Sequence, residues 1–225
     1  MREWSGPFIS HAIDLKGRAI LDLRGRSGAL AEFMARAGAK VLHTDPFQAN
    51  VDFAATKRKL HSKLLKLTEV IVLADWTDQR FDAVTALSVH LLAHVPSPVA
   101  VLGSIQSILK PGGIFVFDEK DVASPVRYKN GSIYSSGSAH LHHFTTETLG
   151  KCIAAAGFEL VLCEIDKSHA TAFRHIKAIA RKPKTGEKPR QKDENNSGAA
   201  QILSRLKKAE RGKWAFLIKR KLGIQ

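Results

Sequence analysis

A chain of 225 residues, 44% of them hydrophobic, has the length and apolar content for one α/β domain with a real core and an extension. No apolar run approaches the roughly 20 residues a membrane-spanning helix needs, and the two cysteines, Cys152 and Cys163, sit at no metal-binding spacing. The net charge of +14 is uneven, because residues 181–225 carry 14 Lys and Arg against 4 Asp and Glu, so the basicity belongs to the C-terminal tail. With no apolar leader in Met1 to Pro7, the expected compartment is cytoplasmic.

Residues 7–15 read as a short helix. Ala19 to Leu23 is strand-like, Arg24 to Gly28 is a glycine-containing turn, and the next segment places Leu30, Phe33, Met34 and Ala37 on one helical face. Gly38 stops that helix. The apolar pair Val41-Leu42 then leads to Asp45, seventeen positions after Gly28. Strand, glycine turn, helix, strand and acid make a mononucleotide-binding βαβ pattern. Its turn and helix N-terminus face the ligand, and its acid accepts hydrogen bonds from ribose hydroxyls.

Residues 49–67 read as a helix, with Lys57, Arg58, Lys59, Lys63 and Lys66 mostly on its solvent side. Glu69 to Ala74 reads as a third strand buried on both faces, ended by Asp75. Only Trp76 to Arg80 then precede a fourth strand, Phe81 to Leu87, too few residues for a regular crossover helix. A helix over 98–109, a turn at Lys110 to Gly113 and a strand over 114–118 follow, with His90 and His94 flanking the fourth strand's exit and Asp118 and Glu119 at the end of the fifth. A loop carries His140, His142 and His143. Thr145 then caps a helix with Thr148 in its first turn, and Gly157 stops it. Residues 158–165 and 173–181 are expected as an antiparallel closing pair.

The expected divisions are a domain over 1–181, a flexible linker over 182–198 and a basic helical tail over 199–225. The tail places Ile202, Leu203, Leu206, Trp214 and Leu217 on one side, with Arg205, Lys208 and Arg211 largely elsewhere. It reads as an interfacial anchor at an anionic membrane, as a contact for RNA or another polyanion, or as a helix packed on its own domain or a partner.

Ile20 to Gly28 resembles the first motif of the class I S-adenosylmethionine (SAM) dependent methyltransferases. Asp22, Leu23, Ser27 and Gly28 match it, while Arg24 and Arg26 stand where its first two glycines are expected. Phe81 to Phe117 resembles the family's FDxV, apolar strand, EHVxxP, helix, LKPGG, strand block, with Ala93 in place of Glu. His140 to Glu159 resembles the HLxxFTxExL…AGF segment common in bacterial methyltransferases acting on sugars or small metabolites. The resemblance covers residues 18–165 and implies an α/β Rossmann-like class I methyltransferase fold, a seven-stranded, mostly parallel sheet with helices on both faces.

It also implies SAM as cofactor and a small-molecule or glycan acceptor, with nucleic acid less favoured. Asp22 would support the glycine loop or the cofactor's amino group, and Gly25 and Gly28 belong to that loop. Asp45 would bind the ribose and Asp75 the adenine amino group, and Leu87 and Ser88 would line the pocket. For a hydroxyl acceptor, His140 and His143 are the candidate general bases. A zinc reading of the histidine loop lacks an acid or cysteine at ligand spacing, so no metal is expected. Arginine at a position needing positive φ costs on the order of 1–2 kcal/mol, and weakened SAM binding is expected. The alternative function is a non-catalytic relative that binds a membrane or polyanion through its tail.

Overall fold

The computed structural model describes residues 5–122, 140–166 and 174–187. Helix α1 (Ser5–Ala12) precedes strand β1 (Ala19–Asp22), helix α2 (Ala29–Arg36), strand β2 (Lys40–Asp45), helix α3 (Gln48–Lys57) and strand β3 (His61–Leu64). A 3-10 segment (Leu67–Val72) and a one-turn helix α4 (Leu73–Trp76) lead to β4 (Phe81–Ala86). Helix α5 (Pro98–Ile108), β5 (Leu109–Lys120), helix α6 (Thr146–Ala155), β6 (Glu159–Ile165) and β7 (His175–Arg181) complete the order.

The sheet has seven strands in the order β3-β2-β1-β4-β5-β7-β6. All pairings are parallel except those of β7, which runs antiparallel to both β5 and β6. The strand order reverses beside β1, so the loops after β1 and β4 open a crevice at the carboxyl ends of the strands. The main core lies between the sheet and α5 and α6, built on Phe81, Phe115, Phe117 and Phe158. A second cluster joins Phe8 and Ile9 of α1 to Leu30 and Met34 of α2 on the opposite face.

Two expectations are corrected. The predicted helix over 49–67 ends at Lys57, and its last part is β3, a polar edge strand pairing Leu42 with His61 through Asp45 with Leu64. The predicted third strand at 69–74 is the crossover itself, and its apolar character comes from packing on α5. Val70 and Leu73 are buried there, and the Leu73 amide donates to Ser104 Oγ at 2.8 Å. The crossover between the third and fourth strands is therefore this segment, whose continuous apolar run predicts a strand.

The helix caps carry their own hydrogen bonds, and that of α6 is the one expected. Ser97 caps α5 by accepting from the Ala100 amide. Thr145 and Thr148 form a reciprocal capping box on α6, with Thr145 N donating to Thr148 Oγ1 at 2.9 Å and Thr148 N to Thr145 Oγ1 at 3.2 Å. Lys110 to Gly113 is absorbed into β5 as a register irregularity between Phe81–Leu109 and Ala83–Ile114. After β7, Lys182 donates to the carbonyls of Gln106 and Leu109 at 2.8 Å each, serving the end of α5. The helical tail expected over 199–225 lies outside the described residues.

Candidate active site

The turn between β1 and α2 is pinned by hydrogen bonds at several peptides. Gly25 N donates to Thr44 O (2.9 Å), Arg26 N to Asp45 Oδ2 (2.9 Å), and His43 Nε2 to the Arg26 carbonyl (3.0 Å). Arg58 Nε donates to Ser27 O at 2.7 Å and its guanidinium pairs with Glu32. One member of the basic run, just past the end of α3, therefore holds the loop rather than facing solvent. Gly25 is obligatory for a steric reason: a Cβ there would lie 2.3 Å from Asp22 Oδ2 and 2.6 Å from His43 Cδ2.

Arg24 and Arg26 adopt φ of 55° and 54°, the left-handed conformation that glycine at these positions would take without strain. The loop thus keeps its glycine-type path with arginine in it, at on the order of 1–2 kcal/mol for each. Their side chains do not fill the crevice. A cavity of about 290 Å³ is lined by Ser5, Asp22, Arg24, Gly25, Arg26, Ser27, Ala29, Leu30, Leu87 and Ser88. A second, of about 660 Å³, is lined by Asp45, Pro46, Phe47, Asn50, Val89, His90, His94, Lys120 and His140 together with Arg24, Arg26, Ser27 and Ser88. The four residues common to both make the two cavities neighbours in one cleft.

Asp22 is 1% exposed, and its Oδ1 accepts from Thr85 Oγ1 at 2.6 Å while Oδ2 has no hydrogen-bond partner among the described residues. Burial pushes its pKa up to about 7, against a smaller lowering by the Thr85 bond. A raised carboxyl pKa means that the fold holds the proton more tightly than the unfolded chain does. Its destabilising contribution is therefore absent below about pH 4 and grows as pH rises to about 7, to on the order of 4 kcal/mol. Asp22→Asn should remove this slope, so its melting temperature relative to wild type should rise between pH 5 and pH 8. Thermal melts at both pH values check it, and a pH-independent difference would refute the burial argument.

Asp45 is the best-tethered acid of the site. Its Oδ1 accepts from Phe47 N (3.0 Å) and Asn50 Nδ2 (2.8 Å), and Oδ2 from Arg26 N. It ends β2 beside the loop, where a ribose-binding acid is required. Gly28 starts α2 at φ 77°, and Leu87 and Ser88 leave β4 into the cleft. Asp75 is withdrawn from the site: it sits exposed on α4 and lines neither cavity, because the strand expected to present it does not exist.

Histidines close the far side of the cleft. Leu141 N donates to Ala93 O (2.7 Å) and His142 Nε2 to Pro96 O (3.2 Å), which stitches the predicted histidine loop to the residues after β4. The His140 ring lies 4.7 Å from that of His94 and 6.3 Å from that of His90. Burial, then the charges of Lys120, His94 and His143, push the His140 pKa down to about 4. His143, 6.3 Å from His140 ring to ring, lines neither cavity.

His90 is backed differently. Its ring stacks on His175 at 5.0 Å, its Nδ1 lies 3.7 Å from Asp118 Oδ2, and His175 Nδ1 donates to the same oxygen at 2.9 Å. Asp118 is fully buried, and Oδ1 accepts from Ser88 N. His90 is held at φ 48°, a conformation that costs energy in a non-glycine residue and that clusters at functional sites. Ligand atoms of His90, Asp118 and His175 lie within 4.8 Å of one another, close enough for a metal ion as well as for a relay. Sequence reasoning placed His90 and Asp118 at strand exits but missed His175, which arrives from β7.

A methyltransferase-domain family profile matches residues 7–163. The chain belongs to the class I SAM-dependent methyltransferases. It is 40% identical over 106 residues to a ubiquinone biosynthesis O-methyltransferase of Alkalilimnicola ehrlichii, covering 46% of this chain and 42% of that protein. A protein of the same description from Acinetobacter baylyi is 34% identical over 110 residues, 48% of this chain and 45% of its own length. The chain spans less than half of these curated relatives. Among solved structures, magnesium protoporphyrin IX methyltransferase from Synechocystis with bound S-adenosylhomocysteine (SAH) superimposes with a TM-score of 0.58 at 16% identity, over 79% of this chain and 80% of that one. The [4+2]-cyclase SpnF does so with 0.60 at 20% identity, over 80% of each. A methyltransferase fold is thus shared with a cyclase, and the reaction has to be argued from the site.

SAM is the cofactor of this family, and the cleft fits it. The pinned loop leaves a cavity beneath it, Asp45 ends β2 beside that loop, and the unsatisfied Asp22 Oδ2 faces the loop.

Proposed function

We propose that the chain methylates a hydroxyl oxygen of a small-molecule acceptor, with Asp45 and the Arg24–Gly28 loop holding the cofactor and His90 taking the acceptor's proton. The observation that carries this is that the loop cavity adjoins a second cavity walled by His90, His94 and His140, with four lining residues in common. The naming of the relatives as O-methyltransferases supports the hydroxyl.

When bound, SAM supplies a methyl group on a positively charged sulfur, ready for in-line displacement. The protein's part is to place the acceptor oxygen and accept its proton. Imidazolium formed at His90 is compensated by Asp118, 3.7 Å from Nδ1, whose own position is fixed by His175 and Ser88 N. His140 is the poorer base, because burial and the charges around it oppose its protonation. The catalytic role expected of His140 and His143 therefore moves to His90 in this reading, with His140 as a wall of the acceptor cavity.

Incubation with methyl-labelled SAM and a panel of catechols and phenols tests the proposal. Label transfer and SAH release that require the hydroxyl compound are expected. SAH binding without transfer to any member of the panel would favour the alternative of a non-catalytic binding module.

A further inference from the structure

Arg24 and Arg26 stand where the two cavities meet, and each lines both. Their backbones are held in the left-handed region, so the loop keeps two cationic side chains against a strain that glycine would remove. Among the described residues, neither guanidinium comes within ion-pair distance of a carboxylate. Arg24, the more enclosed of the two, reaches only the Val89 carbonyl, at 3.4 Å. Of the acids whose charges it feels, Asp45 already holds Arg26 N, Phe47 N and Asn50, and Glu119 is fully buried, with Oε1 accepting from Leu92 N and Oε2 out of ion-pair reach of the guanidinium.

We propose that Arg24 and Arg26 form an anion-binding site at the waist of the cleft, which takes a carboxylate or phosphate group of a ligand. A half-buried guanidinium presents a planar fork of donors that such a group satisfies in a bidentate manner. The anion has two possible sources, an acidic group on the acceptor or the carboxylate of the cofactor's amino-acid portion. The inference rests on the reading of the cleft as the donor and acceptor site.

Calorimetric titration of the full chain decides it, using wild type, Arg24→Gln and Arg24→Gly. The probes are SAM, its decarboxylated analogue, and benzoate and inorganic phosphate, the last two with and without saturating SAH. An acceptor-borne anion predicts that benzoate or phosphate binds the wild type and that its affinity falls by about tenfold or more in both variants. A cofactor-borne anion predicts that the wild type prefers SAM over the decarboxylated analogue by about tenfold or more, and that Arg24→Gln erases the preference. A wild type that recognises neither the free anions nor the cofactor's carboxylate overturns the proposal, as do variants that retain that recognition unchanged. Arg24→Gly relieves backbone strain, so a loss of recognition in it is not a loss of folding. Normal SAH binding without anion recognition would sink this inference alone. If SAH itself fails to bind, the reading of the cleft falls, and the titrations without SAH still settle the arginines.

Discussion

His90→Gln is expected to lower kcat by about 10²- to 10⁴-fold, the usual contribution of a positioned general base, while SAH affinity stays close to that of wild type. The asymmetry with His140→Gln is the sharper part of the expectation. His140 sits among Lys120, His94 and His143, which oppose a positive charge on its ring, whereas His90 faces the buried Asp118 carboxylate. Loss of His140 should therefore act mainly on KM, with kcat changed by less than about tenfold. Asp118→Asn, which keeps the shape and removes the charge, should reproduce much of the His90 defect. Steady-state kinetics on the three variants check the assignment. A large kcat loss in His140→Gln with His90→Gln near wild type would return the role to the histidine the sequence suggested.

The second large effect is expected at Asp45. Replacing it with Ala leaves Arg26 N, Phe47 N and Asn50 Nδ2 without their acceptor, in a residue only 2% exposed, and removes the proposed ribose contact as well. An orphaned buried donor costs about 1–3 kcal/mol. A charge-assisted bond to a ligand hydroxyl is worth about 1.5–3 kcal/mol, so SAH affinity should fall by about tenfold to a hundredfold alongside a lower melting temperature. Asp45→Asn should be milder in both, because Oδ1 still accepts. A variant that loses stability but keeps SAH affinity would place the nucleoside elsewhere.

The contrast between Asp45 and Asp75 shows what was legible in the chain. Asp45 was readable because its strand, turn and helix carry local signals: an apolar run, Gly28 and Gly38 at positive φ, and a fixed spacing. The α6 cap was readable for the same reason, since Thr145 and Thr148 satisfy each other. Asp75 misled because periodicity cannot separate a buried strand from a short buried crossover, and the true edge strand, His61–Leu64, has a single apolar residue. The positive φ expected of the motif at positions 24 and 26 held even with arginine there. The pinning by Asp45, His43 and Arg58 shows what holds it.

The acceptor side was only half legible. His140 and His94 were visible as histidines in loops, and both reach the cleft. The two residues that back His90 lie 57 residues apart in sequence, with Asp118 at the end of β5 and His175 at the start of the antiparallel β7. No local pattern announces a residue that becomes functional through a neighbouring strand. The same holds for Arg58, which reads as one charge in a basic run and serves as a brace for the Ser27 carbonyl.

The central claim is that this cleft is a working SAM site despite arginine at two glycine positions. Titration calorimetry of the full chain with SAH tests it most directly, with Asp45→Ala beside the wild type. The account predicts one site per chain with an affinity on the order of micromolar, about −8 kcal/mol, and a marked loss in the variant. No binding to wild type at millimolar SAH, or equal binding to both proteins, would contradict it.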